Sequence, residues 1–256
     1  MTQPFPVNFE RLYLHESGLR QQAIALVSTD PRLQSHVHFV DLVMTIAARF
    51  NQIQDPDADL KVVQAIAIRS FNALAGALRL ILSGYARDSV LVMRDILETA
   101  FLLDLFARDR SSIERCRSAG ADERVAQFSP SAVRRLLDEG DAAGETRKAL
   151  ENHYSALAGS AALQSPLTIL ADTTLGPQID RSSLDGALFE LGRIADLIGT
   201  QLDRHFPPGE PHGSDTRLAF KKARLDRLQQ FQPLLAAAQR KAVLCLQGGL
   251  HCGVRV

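Results

Sequence analysis

Residues 88–108 read DSVLVMRDILETAFLLDLFAR, a segment that sets an arginine and a glutamate inside a long apolar helix. Arg94 and Glu98 are one helical turn apart and about 40° apart around the axis, so they share one face. Leucine and phenylalanine lie on the same face, whereas a surface helix would keep its charges on a separate stripe. Because buried ions need partners, we expect Arg94 and Glu98 to pair with each other or with a neighbouring helix.

This pair has two interpretations. It could form a polar site inside a bundle that binds an anionic small molecule, with Tyr85 and Arg87 at its entrance. It could instead be a structural ion pair that fixes the register of the packed helices. The apolar surroundings favour the structural pair.

Composition limits the class of protein. A chain of 256 residues, 46% of them hydrophobic, can bury a substantial core as one large domain or two closely packed ones. Its 29 basic and 29 acidic residues cancel, which argues against a nucleic-acid partner, since such proteins usually carry a basic excess. Three cysteines form no close metal-ligand pair, and this usage suits a reducing cytoplasm.

The sequence also argues against a membrane location. The first 17 residues, MTQPFPVNFERLYLHES, lack the basic-then-apolar pattern of a signal peptide. The segment 88–108 is about long enough to cross a bilayer, but four charged residues interrupt it and make insertion costly. We expect a soluble, cytoplasmic protein.

Helical patterns dominate the chain and predict an all-α bundle of about seven to nine helices. Its centre is a long antiparallel hairpin over residues 60–108, with Gly84 in the left-handed conformation that ends the first arm. The main bundle is predicted over residues 1–206. Residues 207–256 should contribute a proline-rich linker, a C-terminal helix packed on the bundle, and a tail, with the helix kinked or interrupted at Pro233.

Local signals place several helix ends. Asp30 followed by Pro31 predicts a helix start, and Asp59 is a candidate cap for the third helix. A break is expected at residues 119–120, and a helix is predicted over residues 142–157. Residues 159–183 show no helical period and are predicted to be irregular.

Two pairs of motifs suggest a resemblance. Residues 83–87 (SGYAR) precede residues 93–98 (MRDILE), and residues 154–157 (YSAL) precede residues 175–180 (LGPQID). Over roughly residues 60–205, the chain resembles a bacterial all-helical family of unknown function, in which an Arg-x-x-x-Glu helix precedes a Tyr-x-x-Leu-Ser segment with a histidine. This chain has AGSAAL where that family places the serine and histidine, so the resemblance supports the fold more than an activity.

That family is loosely similar to HEPN-type helical proteins, many of which are metal-independent ribonucleases with an arginine and a following histidine separated by four to six residues. The resemblance implies that such a pair would stabilise the phosphorane and move protons. Two pairs fit the spacing, Arg32 with His38 and Arg147 with His153. Because the chain has 24 arginines and seven histidines, about two matches are expected by chance, which is the number found.

Metal and phosphate-loop chemistry are poorly supported. No glutamate has a histidine three residues later, as a di-iron bundle requires. Cys245, His251 and Cys252 form a partial ligand set in a tail, and no phosphate-binding loop or nucleophile-elbow motif is present. The sequence therefore predicts neither a metal nor a cofactor.

The last helix is the most basic element, with Lys221, Lys222, Arg224, Arg227, Arg240 and Lys241. An ordinary solvated face is favoured over an RNA-binding or partner-binding surface. Taken together, the sequence predicts a non-catalytic interaction or ligand-binding module, a homodimer with room for a further protein partner. A HEPN-like ribonuclease is the alternative, and an enzyme is the less favoured class.

Overall fold

The computed structural model of the chain describes residues 6–141, 176–207 and 214–247, with the side chains of the last helix up to residue 231. Within these ranges the chain forms nine α-helices and no strand, which confirms the all-α prediction. The helices are α1 (Val7–Thr29), α2 (Pro31–Phe50), α3 (Ala58–Leu82), α4 (Ala86–Arg108), α5 (Ser111–Ser118), α6 (Ala121–Phe128), α7 (Pro130–Glu139), α8 (Arg181–Arg204) and α9 (Ser214–Gln247). The predicted helix over 142–157, His251 and Cys252 lie outside the described residues. Cys245, placed in a tail by the sequence, lies within α9, and its side chain is outside the described part.

The predicted hairpin is confirmed as the centre of the fold. Helices α3 and α4 share the most extensive contact of any helix pair described; α8 packs against both arms, and α2 packs against α3 and α8. Their apolar stripes meet in one core, since residues three and four positions apart share a helix face. Fully buried members of this core include Val40, Val43, Ala67, Leu74, Ile96, Leu97, Leu188 and Ala195.

One described helix, α3, is long and apolar enough to cross a membrane by length and composition. Its buried residues, among them Ala67, Leu74 and Ala77, pack against α2, α4 and α8. A core helix of a soluble protein passes the same test, so α3 is compatible with a soluble bundle.

The helix ends follow their caps. Asp30 caps α2 by accepting from the Arg32 backbone N–H at 2.9 Å, with Pro31 in the first helical position, as predicted. The cap of α3 is Asp57, which accepts from Leu60 N–H at 2.7 Å. The prediction of Asp59 was wrong because the helix begins earlier, at Ala58, and Asp59 falls inside its first turn.

Two further boundaries can be compared with the sequence. The break at residues 119–120 is confirmed between α5 and α6. A kink or an interruption was predicted at Pro233; helix α9 runs from Ser214 to Gln247, which excludes the interruption, and the kink stays a prediction. A proline removes one backbone hydrogen bond, and the helix continues on both sides of that loss.

The turn between α3 and α4 joins three parts of the fold. Ser83 Oγ accepts from the Arg20 guanidinium of α1 at 3.0 Å, and the Tyr85 hydroxyl donates to Glu16 of the same helix at 2.6 Å. Gly84 between them has φ +88°, and its carbonyl accepts from a backbone N–H just before α8 at 3.3 Å. This confirms the left-handed conformation predicted for Gly84. The SGY triplet therefore serves as a packing junction.

We expect Gly84→Ala to destabilise the protein. The left-handed backbone alone costs about 1–2 kcal/mol with a side chain present, and a Cβ at Gly84 would lie 2.8 Å from the Gln178 backbone nitrogen. Gly76→Ala is the control, because it lies within α3 and a Cβ there meets nothing within 4 Å. Urea unfolding followed by circular dichroism should show a loss for Gly84→Ala and no loss for Gly76→Ala. Equal effects would contradict the close contact.

Candidate functional site

Helix α9 inserts one stripe of side chains between α2 and α8. Phe220, Arg227 and Phe231 are seven and four residues apart, so they share one face of the helix, and all three are buried. Phe220 contacts the ring of Phe39, and Phe231 stacks on His36, three residues earlier in α2. The later residue of α9 contacts the earlier residue of α2, so the two helices run antiparallel.

Two glycines on α8 make room for this stripe. Gly192 and Gly199 are seven residues apart and face α9 together. A Cβ at Gly192 would lie 2.6 Å from the guanidinium carbon of Arg227, and one at Gly199 would lie 2.9 Å from the ring of Phe220. A side chain at either position would require the inserted Arg227 or Phe220 side chain to shift.

Salt bridges flank the inserted stripe. Asp203 of α8 binds Arg217 Nε at 2.5 Å and Lys221 Nζ at 3.2 Å. Two helical turns earlier in α8, Asp196 binds Arg224 Nε at 2.6 Å. Lys221 and Arg224 hold α9 on α8 through these bridges while their side chains stay 55% and 41% exposed, as expected for a solvated face. The expectation of a solvated face is wrong for Arg227, which is only 8% exposed.

Arg227 is the most unusual member of the stripe, since its side chain is charged and only 8% exposed. Its Nη1 donates to His36 Nδ1 at 2.7 Å, and its Nη2 donates to the carbonyl of Phe189 at 3.0 Å. The guanidinium also lies 5.0–5.7 Å from the ring centres of Phe39, Phe189 and Phe231. These contacts hold the cation in an aromatic enclosure, a favourable cation–π arrangement.

No carboxylate among the described residues lies within 4.0 Å of the Arg227 guanidinium. Asp196 and Glu190 attract it from farther away, while burial lowers the pKa of Arg227 to about 10. The side chain therefore stays charged at neutral pH. A buried ion without a contacting counter-ion is costly, and departures of this kind from the rules of stability cluster at functional sites.

His36 links Arg227 to an acidic residue. Because a guanidinium only donates, Nδ1 of His36 must be the acceptor, which puts its proton on Nε2. Nε2 lies 3.5 Å from Asp185 Oδ1, and that carboxylate binds Arg32 Nε at 2.8 Å. Burial, with the charges of Arg227 and Arg32, lowers the pKa of His36 to about 3. The neutral ring thus orients the Arg227 guanidinium.

A small cavity opens beside Arg227. It has a volume of about 40 Å³, enough for a few water-sized groups. Leu228, which is 42% exposed, lies at its mouth, so the cavity is reached from solvent. Its apolar walls are Phe189, Leu228 and Phe231, and its charged lining is Arg193, Asp196, Arg224 and Arg227.

The polar-core candidates of α4 do not form one site. Tyr85 and Glu98 are 13 residues apart, which separates them by about 20 Å along a helix. The Tyr85 hydroxyl donates to Glu16, and that bond is the main reason why the pKa of Tyr85 rises to about 12. Glu98 instead pairs with Arg134 Nη1 of α7 at 2.6 Å. Burial raises the pKa of Glu98, and the charges of Arg134 and Arg94 oppose that rise.

The remaining polar-core candidates, Arg87 and Arg94, both lie exposed on α4. Glu98 therefore has an ion-pair partner on a neighbouring helix, which is one of the two pairings expected from the sequence. This partner is α7, which packs directly on α4.

The one ribonuclease candidate pair that the structure describes, Arg32 and His38, does not share a helix face. Arg32 and His38 are six residues apart on α2, which puts them about 120° apart around the axis. Arg32 is directed to Asp185, whereas His38 is exposed. Arg147 and His153 lie outside the described residues. Within the described part of the chain, no group of three or more histidine, cysteine or acidic side chains could hold a metal ion.

Comparison with known proteins found no family model, no curated protein and no solved structure that matches this chain. The resemblance to an all-helical, HEPN-like family therefore stays a prediction. The function has to be argued from the geometry of the chain itself.

The sequence did not single out His36, and it placed Arg227 only among the basic residues of the last helix. His36 lies between Leu33 and Phe39 at helical spacing, so it belonged to the buried face of α2. Arg227 likewise shares its stripe with Phe220 and Phe231. A polar residue at a position that the apolar period assigns to the core was the available signal.

We expect Gly192→Ala to destabilise the protein by about 1–3 kcal/mol, the usual cost of overpacking. The added methyl group would displace the Arg227 guanidinium from His36. Gly186→Ala on the same helix is the control, because it is exposed and meets nothing within 4 Å. Chemical denaturation of both variants tests this, and a harmless Gly192→Ala would show that the groove is not tight.

We expect His36 to make stability depend on pH. The unfolded histidine binds a proton near pH 6.5, but the folded one does so only near pH 3. Stability is therefore full above about pH 6.5 and falls as the pH drops towards 3, because the unfolded state then binds more protons. His205, whose pKa burial also lowers, acts in the same direction.

Melting temperatures between pH 7.5 and 4.5 measure this effect. The drop should be smaller in His36→Gln than in the unmodified protein. It should be unchanged in His38→Gln, which alters an exposed residue of the same helix. A His36→Gln variant with the original pH profile would contradict the assignment.

Proposed function

We propose that this protein is a cytoplasmic, non-catalytic ligand-binding module, and that its ligand is a small anion held by Arg227 where α2, α8 and α9 meet. The observation that carries the proposal is a buried guanidinium that lines a solvent-connected cavity and touches no carboxylate of the described residues. An anion in that cavity would supply the missing counter-charge.

The hydrogen-bonding capacity of Arg227 supports this role. A guanidinium has five N–H donors, and His36 and Phe189 accept from two of them. In the part of the chain that the structure describes, the other three donors have no hydrogen-bond acceptor. Charge-assisted bonds from these donors to an anion would be among the strongest that a protein side chain can make.

The state of His36 supports binding rather than catalysis. A general base works best with a pKa near the pH at which the protein operates. The pKa of His36 is about 3, and both of its ring nitrogens face protein groups, Arg227 and Asp185. The ring is therefore suited to positioning Arg227.

The proposal includes a homodimer. Helix α1 buries only two of its residues, Leu19 and Ala23. A second copy would cover its outer side, and in a two-fold dimer the same face meets itself. An exposed apolar surface of this kind is typical of an interaction site. The large apolar residues that α1 exposes are Val7, Phe9, Leu12, Tyr13, Leu14 and Ile24.

Anion binding can be tested with formate and phosphate as probes. Thermal melts and ligand-observed NMR at fixed pH and ionic strength should detect at least one of them, because an occupied site stabilises the folded state. Arg227→Met should weaken binding at least about tenfold, the loss expected when a charged hydrogen bond is removed. Lys222→Met, an exposed change on the same helix, is the control.

Native mass spectrometry of the same preparations reports the oligomeric state and any retained anion in one spectrum. Failure of every anion to bind the unmodified protein would overturn the ligand-binding proposal. Equal binding by Arg227→Met and Lys222→Met would remove Arg227 from it. A monomer at all concentrations would overturn the dimer alone.

A further inference from the structure

We infer that the anion is a monocarboxylate with a short apolar substituent, an inference that rests on the proposed function of the Arg227 site. Three features of the cavity lead to it: the charged side chains that line it, its size and its apolar walls.

One arginine of the cavity lining touches no carboxylate among the described residues. Arg193 pairs with Glu190 at 2.9 Å, and Arg224 pairs with Asp196 at 2.6 Å. Arg227 is the third arginine of the lining, and every described carboxylate lies more than 4.0 Å from its guanidinium. Asp196 itself lines the cavity and would repel a second negative charge on the ligand. The site therefore favours a monoanion over a dianion.

The size of the cavity favours a carboxylate group. Its volume of about 40 Å³ gives room for roughly three water-sized groups. A carboxylate has three non-hydrogen atoms, whereas phosphate and sulfate have five. The flat, forked guanidinium of Arg227 also matches the planar carboxylate, which can accept two parallel hydrogen bonds from it.

The walls indicate what the carboxylate carries. Phe189, Leu228 and Phe231 give the cavity an apolar lining beside the guanidinium. Leu228 lies at the mouth and is 42% exposed, so a substituent leaving the cavity would pass along its side chain. A short alkyl group would bury apolar area there, whereas a polar group would lose hydration without gaining a partner.

A panel of sodium salts tests this inference, with formate, acetate, isobutyrate, phosphate and sulfate compared at constant pH and ionic strength. Dissociation constants from ligand-observed NMR and from thermal shifts should fall from formate to isobutyrate, by about fourfold for each methylene that becomes buried. Phosphate and sulfate should bind at least about tenfold more weakly than acetate. Their tetrahedral oxygens put polar atoms against the apolar walls, and the second charge of sulfate is repelled by Asp196.

Two leucine-to-tryptophan variants on α9 test whether the carboxylate binds in this cavity. Leu228→Trp should block the mouth and weaken isobutyrate binding at least about tenfold. Leu225→Trp, on the exposed side of α9 and outside the cavity lining, should bind as the unmodified protein does. Because both positions are exposed, these variants test the site even if Arg227→Met does not fold.

The outcomes separate the two proposals. Phosphate or sulfate binding as tightly as acetate, with dependence on Arg227, would overturn the monocarboxylate and leave an anion site. Affinity that is equal for formate and isobutyrate, or equal in Leu228→Trp and Leu225→Trp, would also overturn the inference. If no anion binds the unmodified protein, both the inference and the proposed function fail.

Discussion

The attachment of α9 depends on the insertion of Arg227 into a groove that a glycine keeps open. The side chain reaches past Gly192 to His36 of α2 and to the backbone of α8, so one residue joins three helices. Phe220 makes the equivalent insertion at Gly199, without a charge. The salt bridges of Asp196 and Asp203 then fix how far α9 can slide along α8.

The burial of this cation explains the polar groups around it. A neutral His36 accepts from Arg227 without adding charge. Asp185 lies 3.5 Å from the other ring nitrogen, too far to hydrogen-bond with it, and binds Arg32. An apolar side chain at position 227 would need none of these partners, and replacing buried ionic groups by apolar ones is often neutral or stabilising. The polar cluster is therefore better explained as the support of a binding group than as a source of stability.

The sequence predicted the fold well because helical period and capping residues act locally. The hairpin over 60–108, the start at Asp30 and the turn at Gly84 each depend on a few neighbouring residues. The candidate site could not be found in this way, since His36 and Arg227 are 191 residues apart and only the packing of α9 brings them together. The arginine and glutamate of α4 attracted attention instead, because their neighbours in sequence are apolar.

The same separation has a consequence for the order in which the protein folds. The hairpin of α3 and α4 closes a short turn, and contacts of that kind form early. The contact between His36 and Arg227 closes a loop of 191 residues, whose entropic cost has to be met before the contact contributes any stabilisation. During synthesis the bundle can therefore assemble while the Arg227 cavity does not yet exist, and the cavity is completed only when α9 arrives.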